Sequence, residues 1–136
     1  MGLVVPSALQ VDILTDLLTS ALSMKLFSND HDPVIGDTVA AYTEVSGGGY
    51  ASKPLTIGNW TITPGAPTVA LYNANQQWTF TGVTGAPGTI YGYYVVRDSD
   101  NELMWAERFP DALVPFVPEA GSKIQVLPKT TLQSQF

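Results

Sequence analysis

After residue 50 the chain alternates between short β-rich runs and clusters of turn-forming residues, and this alternation constrains its fold most. Runs rich in β-branched and aromatic residues predict strands, and the turn residues between them predict reversals of the chain. The segment Asp98-Ser99-Asp100-Asn101 joins the two strongest runs and predicts a β-hairpin. With one earlier run, the predicted strands are Leu22–Ser28, Tyr50–Leu55, Trp60–Thr63, Thr68–Tyr72, Gln77–Val83, Gly88–Arg97, Glu102–Phe109, Pro115–Val117 and Ser122–Leu127.

A mainly β fold follows from these runs. One helix followed by about eight or nine short strands predicts a single-domain antiparallel β-sandwich, with a jelly roll as the first choice. The length of 136 residues is close to the commonest size of one domain. The expected sandwich covers residues 22–129, between an N-terminal arm and helix at 1–21 and a C-terminal tail at 130–136.

The segment Pro6–Ser20 carries apolar residues at three- and four-residue spacing, which predicts one amphipathic helix. Ser7 and Gln10 have the spacing of a capping box at its start. A helix of this length is marginal alone in water, so its apolar face has to pack against something, and we expect another subunit. The expected interface residues are Leu9, Ile13, Leu14, Leu17, Leu18 and the terminal Phe136.

The only histidine, His31, lies among Asp30, Asp32 and Asp37 in a predicted loop at 29–37. These side chains permit two interpretations, a Ca²⁺ or acid–base site and a solvated turn. The segment lacks the spacing of an EF-hand loop and its Glu at position twelve, so the solvated turn without a metal or cofactor is favoured. The next segment, Thr38–Glu44, is expected to form a short helical turn.

No segment carries a recognisable catalytic motif. A Ser-His-Asp triad would need a serine in a supported turn, and Gly-x-Ser-x-Gly does not occur. A glycosidase pair could be sought among Asp98, Asp100, Glu102 and Glu107, but their place in or beside a hairpin favours surface solvation. Gly47-Gly48-Gly49 and the glycines of 82–88 lack the Lys-Ser/Thr ending of a phosphate loop and are interpreted as turns or hinges. The chain is therefore expected not to be an enzyme.

The charge of the chain and its N-terminal segment argue against several partners and against a targeting segment. Only 13% of residues are charged, against about 25% in typical domains. A net charge of −6 opposes binding to nucleic acid or to an anionic membrane. The first 20 residues lack a basic start and are interrupted by Pro6, Asp12 and Asp16, so neither a signal peptide nor a membrane span is expected there. A polar but weakly charged surface is typical of contact with other proteins.

Aromatic residues offer two further possibilities. In Tyr91-Gly92-Tyr93-Tyr94, the first and third residues share one face of a strand and Tyr94 takes the other, so some rings must point away from any single core. Most aromatic residues are expected to fill the sandwich core. Outward rings would either stack on sugars or fill a protein interface.

A further set of segments is informative through its order and spacing. The segments are Met24-Lys25-Leu26-Phe27-Ser28-Asn29, Tyr42-Thr43-Glu44, Gly49-Tyr50-Ala51-Ser52-Lys53-Pro54-Leu55-Thr56, Trp60, Tyr91-Gly92-Tyr93-Tyr94-Val95-Val96 and Leu103-Met104-Trp105-Ala106-Glu107-Arg108-Phe109. Together they resemble a group of small bacteriophage virion proteins encoded among head and tail genes. The resemblance covers most of the chain between residues 22 and about 132.

The resemblance implies a non-enzymatic structural protein of the virion, and it supplies no catalytic residues. The first expectation is a capsid decoration or cement protein that binds the major capsid protein or other virion subunits. The resemblance also implies a homotrimer, because decoration proteins often occupy local threefold positions. The alternative is a tail or head-fibre module that binds a receptor or carbohydrate through exposed Trp and Tyr side chains.

Overall fold

The computed structural model describes residues 4–132 and is mainly β. Over this range it has one α-helix and nine strands. The helix has 12 residues, and no helix of the described range is long and apolar enough to cross a membrane. The elements are α1 (Ser7–Leu18), β1 (Leu22–Phe27), β2 (Lys53–Leu55), β3 (Trp60–Thr63), β4 (Thr68–Tyr72), β5 (Gln76–Thr79), β6 (Gly92–Arg97), β7 (Glu102–Arg108), β8 (Lys123–Val126) and β9 (Lys129–Leu132), with 3₁₀ turns at Val39–Ala41 and Asp111–Leu113.

The strands form three antiparallel sheets. Their strand orders are β2-β1-β6-β7, β3-β4-β9 and β5-β8. β6 and β7 pair as the predicted hairpin, with a bulge after Val95. The mainly β prediction is confirmed. The jelly-roll prediction is not, because a jelly roll has two sheets and the described chain has three.

One large core connects the sheets and the helix. Leu26 and Tyr93 contribute to it from the four-stranded sheet, Tyr72 from the three-stranded sheet and Trp78 from the two-stranded sheet. A second, smaller cluster on the opposite face of the four-stranded sheet contains Phe27, Tyr42, Tyr94 and Val96. β6 therefore has buried side chains on both faces, which explains why its sequence is apolar and aromatic almost throughout.

The helix is part of the large core, which corrects the prediction of a separate N-terminal arm. Leu14 and Leu18 are buried, and the helix packs against β3 and β4. The Thr68 hydroxyl donates a 2.6 Å hydrogen bond to the Gln10 side-chain carbonyl, and the Gln10 amide donates to the Val5 carbonyl. These bonds attach the start of the helix to β4.

The predicted capping box is not formed. Pro6 occupies the N-cap position, without a side-chain hydrogen bond, and Ser7 is the first helical residue. The Gln10 side chain, which would have closed the box, is used by Val5 and Thr68 instead. A long-range contact has replaced the local one.

The C-terminal boundary also needs correction. The tail was expected to begin at residue 130, but β9 covers Lys129–Leu132 and pairs with Thr68–Leu71 of β4. Its sequence Lys-Thr-Thr-Leu has a single apolar residue, so nothing local distinguished it from a polar tail. Pro115–Val117 contributes only an isolated bridge between Ile90 and Phe116 instead of a strand.

The glycine-rich segments are turns that pack against each other. Gly48 has a φ of +61°, and an added Cβ would lie 2.8 Å from the Gly82 carbonyl oxygen. The Thr81 N–H donates a 2.9 Å hydrogen bond to the Gly48 carbonyl. The left-handed backbone and this close approach together require glycine at residue 48.

Candidate interaction site

Strand β7 is the terminal strand of the four-stranded sheet, and no other strand of the described residues pairs with its outer edge, which we call the free edge. The Phe109 N–H, just after β7, bonds to the Tyr91 carbonyl on the β6 side. Because backbone groups alternate in direction along a strand, the N–H and C=O of Ala106 point away from β6. An unpaired edge of this kind presents donors and acceptors to any extended chain that reaches it.

A cleft of about 540 Å³ lies between β7 and β9, which is the edge strand of the three-stranded sheet. We call it the Glu107 cleft. Lys129, Thr130 and Thr131 form the wall opposite Glu107, so the two walls carry opposite charges. Other lining residues are Tyr93, Trp105, Ala106 and Leu127.

Polar groups at the base of the Glu107 cleft are close to one another. Burial raises the pKa of the Tyr93 hydroxyl, and the neighbouring Glu107 carboxylate raises it further. The Trp105 indole lies near enough to the Tyr93 hydroxyl to oppose this shift, yet its N–H has no partner in good hydrogen-bond geometry among the described residues. Trp105 and Trp60 pack in a T-shaped arrangement, with ring centroids 6.1 Å apart.

A second cleft, of about 360 Å³, adjoins the same strand, and we call it the loop cleft. It shares Trp105 and Ala106 with the Glu107 cleft. The side chain of Glu107 lies on the Tyr93 face of the sheet, whereas those of Leu103 and Ala106 pack on the other face. The two clefts therefore flank the free edge of β7. The loop cleft is lined by Pro33, Val34, Ile35, Asp37, Tyr42 and Leu103–Ala106.

The loop at 29–37 is fixed internally by Asp37. One carboxylate oxygen, Oδ2, lies 2.8 Å from His31 Nε2 and accepts hydrogen bonds from the Tyr42 hydroxyl at 2.7 Å and the Val34 N–H at 3.0 Å. These hydrogen bonds, with that to His31 the strongest, lower the pKa of Asp37 from 3.8 to about 2. The ionised carboxylate thus joins His31 and Val34 of the loop to Tyr42, which follows the 3₁₀ turn.

Arg108 attaches the same loop to the end of β7. Its Nη1 lies 2.6 Å from Asp30 Oδ1, and its Nε lies 3.4 Å from Asp32 Oδ1. The guanidinium group also stacks over the Tyr91 ring, with its central carbon 5.0 Å from the ring centroid. The loop is consequently held in one position beside the strand.

This support places two apolar side chains in solvent. Val34 is 63% exposed and Ile35 is fully exposed, and together they form what we call the Val34–Ile35 tip. Isolated exposed apolar residues are common, but an adjacent pair on a fixed loop beside two clefts and a free strand edge is typical of a contact surface.

The acidic side chains of the loop at 29–37 have partners within the chain. Asp37 Oδ2 already has three partners, and Asp30 and Asp32 face Arg108. Among residues 4–132 there is no group of three or more His, Cys, Asp or Glu side chains that could hold a metal ion.

The hairpin carboxylates already have partners within the chain, and two of them share one partner. Asp98 accepts a 2.7 Å hydrogen bond from the Ser23 hydroxyl. Asp100 and Glu102 both contact Arg97, at 2.6 and 3.2 Å. Only Glu107, of the four residues considered for a glycosidase pair, lines the Glu107 cleft.

The fold buries some residues of the predicted helix interface and leaves others exposed. Leu14 and Leu18 are buried, and Leu17 is partly buried against the same core, so they contact this chain and are not open to a partner. Leu9 and Ile13 remain 49% and 45% exposed. Phe136 lies outside the described residues. The prediction that Leu14 and Leu18 form an interface with a partner is therefore wrong.

Sequence reasoning missed the β7 edge and the Val34–Ile35 tip. A signal for the tip was present, because Val34 and Ile35 are two adjacent β-branched residues within an otherwise polar loop. No comparable signal marks Ala106, whose importance depends on which strands pair.

Comparison with known proteins finds no matching family model, no matching curated protein and no matching solved structure. The resemblance to bacteriophage virion proteins therefore stays a hypothesis. The function has to be argued from the geometry of the β7 edge and its two clefts.

Proposed function

We propose that this chain is a non-enzymatic structural protein of a bacteriophage virion, a capsid decoration protein that binds and stabilises the head shell. Its proposed partners are the major capsid protein or other virion subunits, and its proposed assembly is a homotrimer. The observation that carries the proposal is the exposed Val34–Ile35 tip, on a loop that Asp37 and Arg108 attach beside the β7 edge. The low charge and the sequence resemblance support it.

The contacts within the loop at 29–37 favour binding through the Val34–Ile35 tip. Burying an exposed aliphatic side chain stabilises a complex by about 1.5–3 kcal/mol before other costs. Ordering a flexible loop on binding would reduce that gain. The Asp37 hydrogen bonds and the Arg108 contacts order the loop before any partner arrives. The tip is therefore expected to lose less conformational freedom on binding than the same loop would without these contacts.

We also propose that the four-stranded and three-stranded sheets face each other as a sandwich. Leu26 and Tyr93 of the first sheet share one core with Ala70 and Tyr72 of the second, which supports this arrangement. A jelly-roll order of the strands is not part of the proposal.

The test adds purified protein to phage particles that lack it. Wild-type protein is expected to restore resistance to heat and osmotic shock and, when labelled, to occupy regular positions on the shell. Ile35→Asp should abolish both effects, because it introduces a charge at the contact. Ile57→Asp is the matched control, since Ile57 is 52% exposed outside the loop. Binding confined to the tail, or no binding by wild-type protein, would contradict the proposal.

A second candidate function is a carbohydrate-binding module of a tail or head fibre. The Glu107 cleft favours it, because two aromatic residues, Tyr93 and Trp105, line the cleft together with a carboxylate. The exposure of Tyr93 is only 4%, which leaves little ring surface for stacking on a sugar. Glycan binding that is lost in Glu107→Gln, with particle stability unchanged by the protein, would favour this candidate over the first.

A further inference from the structure

We infer that the free edge of β7 is a docking site for an extended segment of another virion polypeptide, which would add to the four-stranded sheet as a fifth strand. This inference rests on the proposed function, because it names the form that the partner takes. Three features carry it: the open backbone groups of Ala106, the two clefts that flank the edge, and the walls that limit what can enter.

The backbone supplies the first requirement of strand addition. β7 has seven residues, pairs with β6 alone among the strands of residues 4–132, and turns the N–H and C=O of Ala106 away from β6. A chain laid beside an open edge forms main-chain hydrogen bonds whatever its side chains are, and these bonds supply affinity.

The two clefts supply the second requirement, which is selectivity. Successive side chains of a strand point to opposite faces of the sheet. An added strand would therefore direct alternate side chains into the loop cleft and the Glu107 cleft. The loop cleft presents Val34, Ile35 and Leu103, whereas the Glu107 cleft presents a carboxylate and the Lys129 ammonium group. The segment that fits best alternates apolar with polar side chains.

The walls distinguish a single segment from a second copy of this chain. Val34 and Ile35 line the cleft on one side of the edge, and Leu127 and Thr131 line the cleft on the other side. The edge of another folded sheet would have to bring its own side-chain layers past both walls. A single extended segment carries no such layers, so it fits the site better.

The principal test uses Ala106→Pro with the particles that lack the protein. Proline removes the outward N–H, and it is tolerated at edge positions whose N–H faces solvent. Ala106→Ser keeps the N–H and is the matched control. If wild-type protein and Ala106→Ser bind the particles and Ala106→Pro binds at least about tenfold more weakly, strand addition is supported. Equal binding by all three proteins overturns strand addition and leaves the decoration function intact.

A second measurement stays informative if Ala106→Pro fails to fold. Wild-type protein is used to select from a displayed library of random twelve-residue peptides, and the Ala106 amide is followed by hydrogen exchange. Selected peptides that alternate apolar and polar residues and slow exchange at Ala106 support the inference. Failure to select any peptide, or peptides that leave Ala106 exchange unchanged, overturns it.

These two experiments separate the inference from the proposed function. In one outcome, the wild-type protein fails to bind particles and still binds peptides of alternating apolar and polar residues at Ala106. That outcome would contradict the decoration function and support the docking site. Sedimentation of the chain alone provides one more outcome. If the wild-type chain self-associates and Ala106→Pro is monomeric, a second copy occupies the edge, and the inferred partner is wrong.

Discussion

Arg108 Nη1 lies 2.6 Å from Asp30 Oδ1, although 78 positions separate the two residues along the chain. The contact joins the last residue of β7 to the loop that carries the Val34–Ile35 tip. The loop that forms one wall of the loop cleft is thereby attached to β7, which forms the other wall. The shape of the cleft depends on this ion pair as well as on the strand itself.

Arg108→Gln is expected to loosen the loop without unfolding the protein. The pair is partly exposed, with Asp30 68% accessible, and exposed ion pairs add little to global stability. Amide hydrogen exchange should become faster at residues 30–36, with little change in Tm. Arg97→Gln is the matched control, because Arg97 contacts only the hairpin residues Asp100 and Glu102 through its ion pairs. Unchanged exchange in the loop would contradict the anchoring role of Arg108.

Gly92→Ala is expected to destabilise the four-stranded sheet. An added Cβ would lie 2.6 Å from the Phe27 ring and would also collide with the Glu107 carbonyl oxygen. Overpacking of this kind typically costs about 1–3 kcal/mol, and occasionally more. The free energy of unfolding in urea measures the effect. Gly36→Ala is the control, because no atom of the described residues beyond its two chain neighbours lies within 4 Å of its added Cβ, and a comparable loss in both variants would contradict the explanation.

Leu14→Ala and Ile13→Ala separate the two faces of the helix. Leu14 is 3% exposed in the large core, so truncation should cost about 2–5 kcal/mol. Ile13 is 45% exposed, and its truncation should stay within about 0.5 kcal/mol. Chemical unfolding measures both. Equal effects would mean that the helix does not pack as described and would restore the idea of a separate arm.

Local patterns in the sequence predicted most elements of the fold. The helix, β3 and β4 were predicted because each has its own apolar or β-branched pattern and a clear turn at its end. β9 was missed because Lys129–Leu132 becomes a strand through pairing with β4 and has little apolar pattern of its own. The prediction that Leu14 and Leu18 contact another subunit was wrong. Periodicity shows that a helix face is buried and does not show which element covers it.

The candidate site was less predictable than the fold. It combines a loop from before residue 40, a strand after residue 100 and the β9 wall at 129–131. The charges near His31 were noticed, but they suggested a metal site or a solvated turn. The structure gives these carboxylates a structural role. Asp30 accepts a hydrogen bond from Arg108, and Asp37 is hydrogen-bonded to His31 and to the Val34 N–H. Contacts between distant segments of this kind leave no spacing pattern in the sequence.

The Asp37 carboxylate is expected to make stability depend on pH between about 4 and about 2. Its pKa is about 2 in the folded protein, below its ordinary value of 3.8. A lowered pKa means that the ionised carboxylate is stabilised by folding, so its contribution is fully present above pH 4. The contribution is lost as the pH falls towards 2, because protonation removes the charge that His31, Val34 and Tyr42 stabilise.

The measurement compares wild-type protein with Asp37→Asn in urea at a series of pH values. The difference in their free energies of unfolding should be largest above pH 4 and should shrink steadily towards pH 2, while the other carboxylates affect both proteins alike. Tyr42→Phe removes one of the three donors to Asp37 Oδ2, so it should raise the Asp37 pKa measured by NMR towards 3.8. A difference that stays constant with pH, or an unmoved pKa in Tyr42→Phe, would show that Asp37 is not the group that fixes the loop.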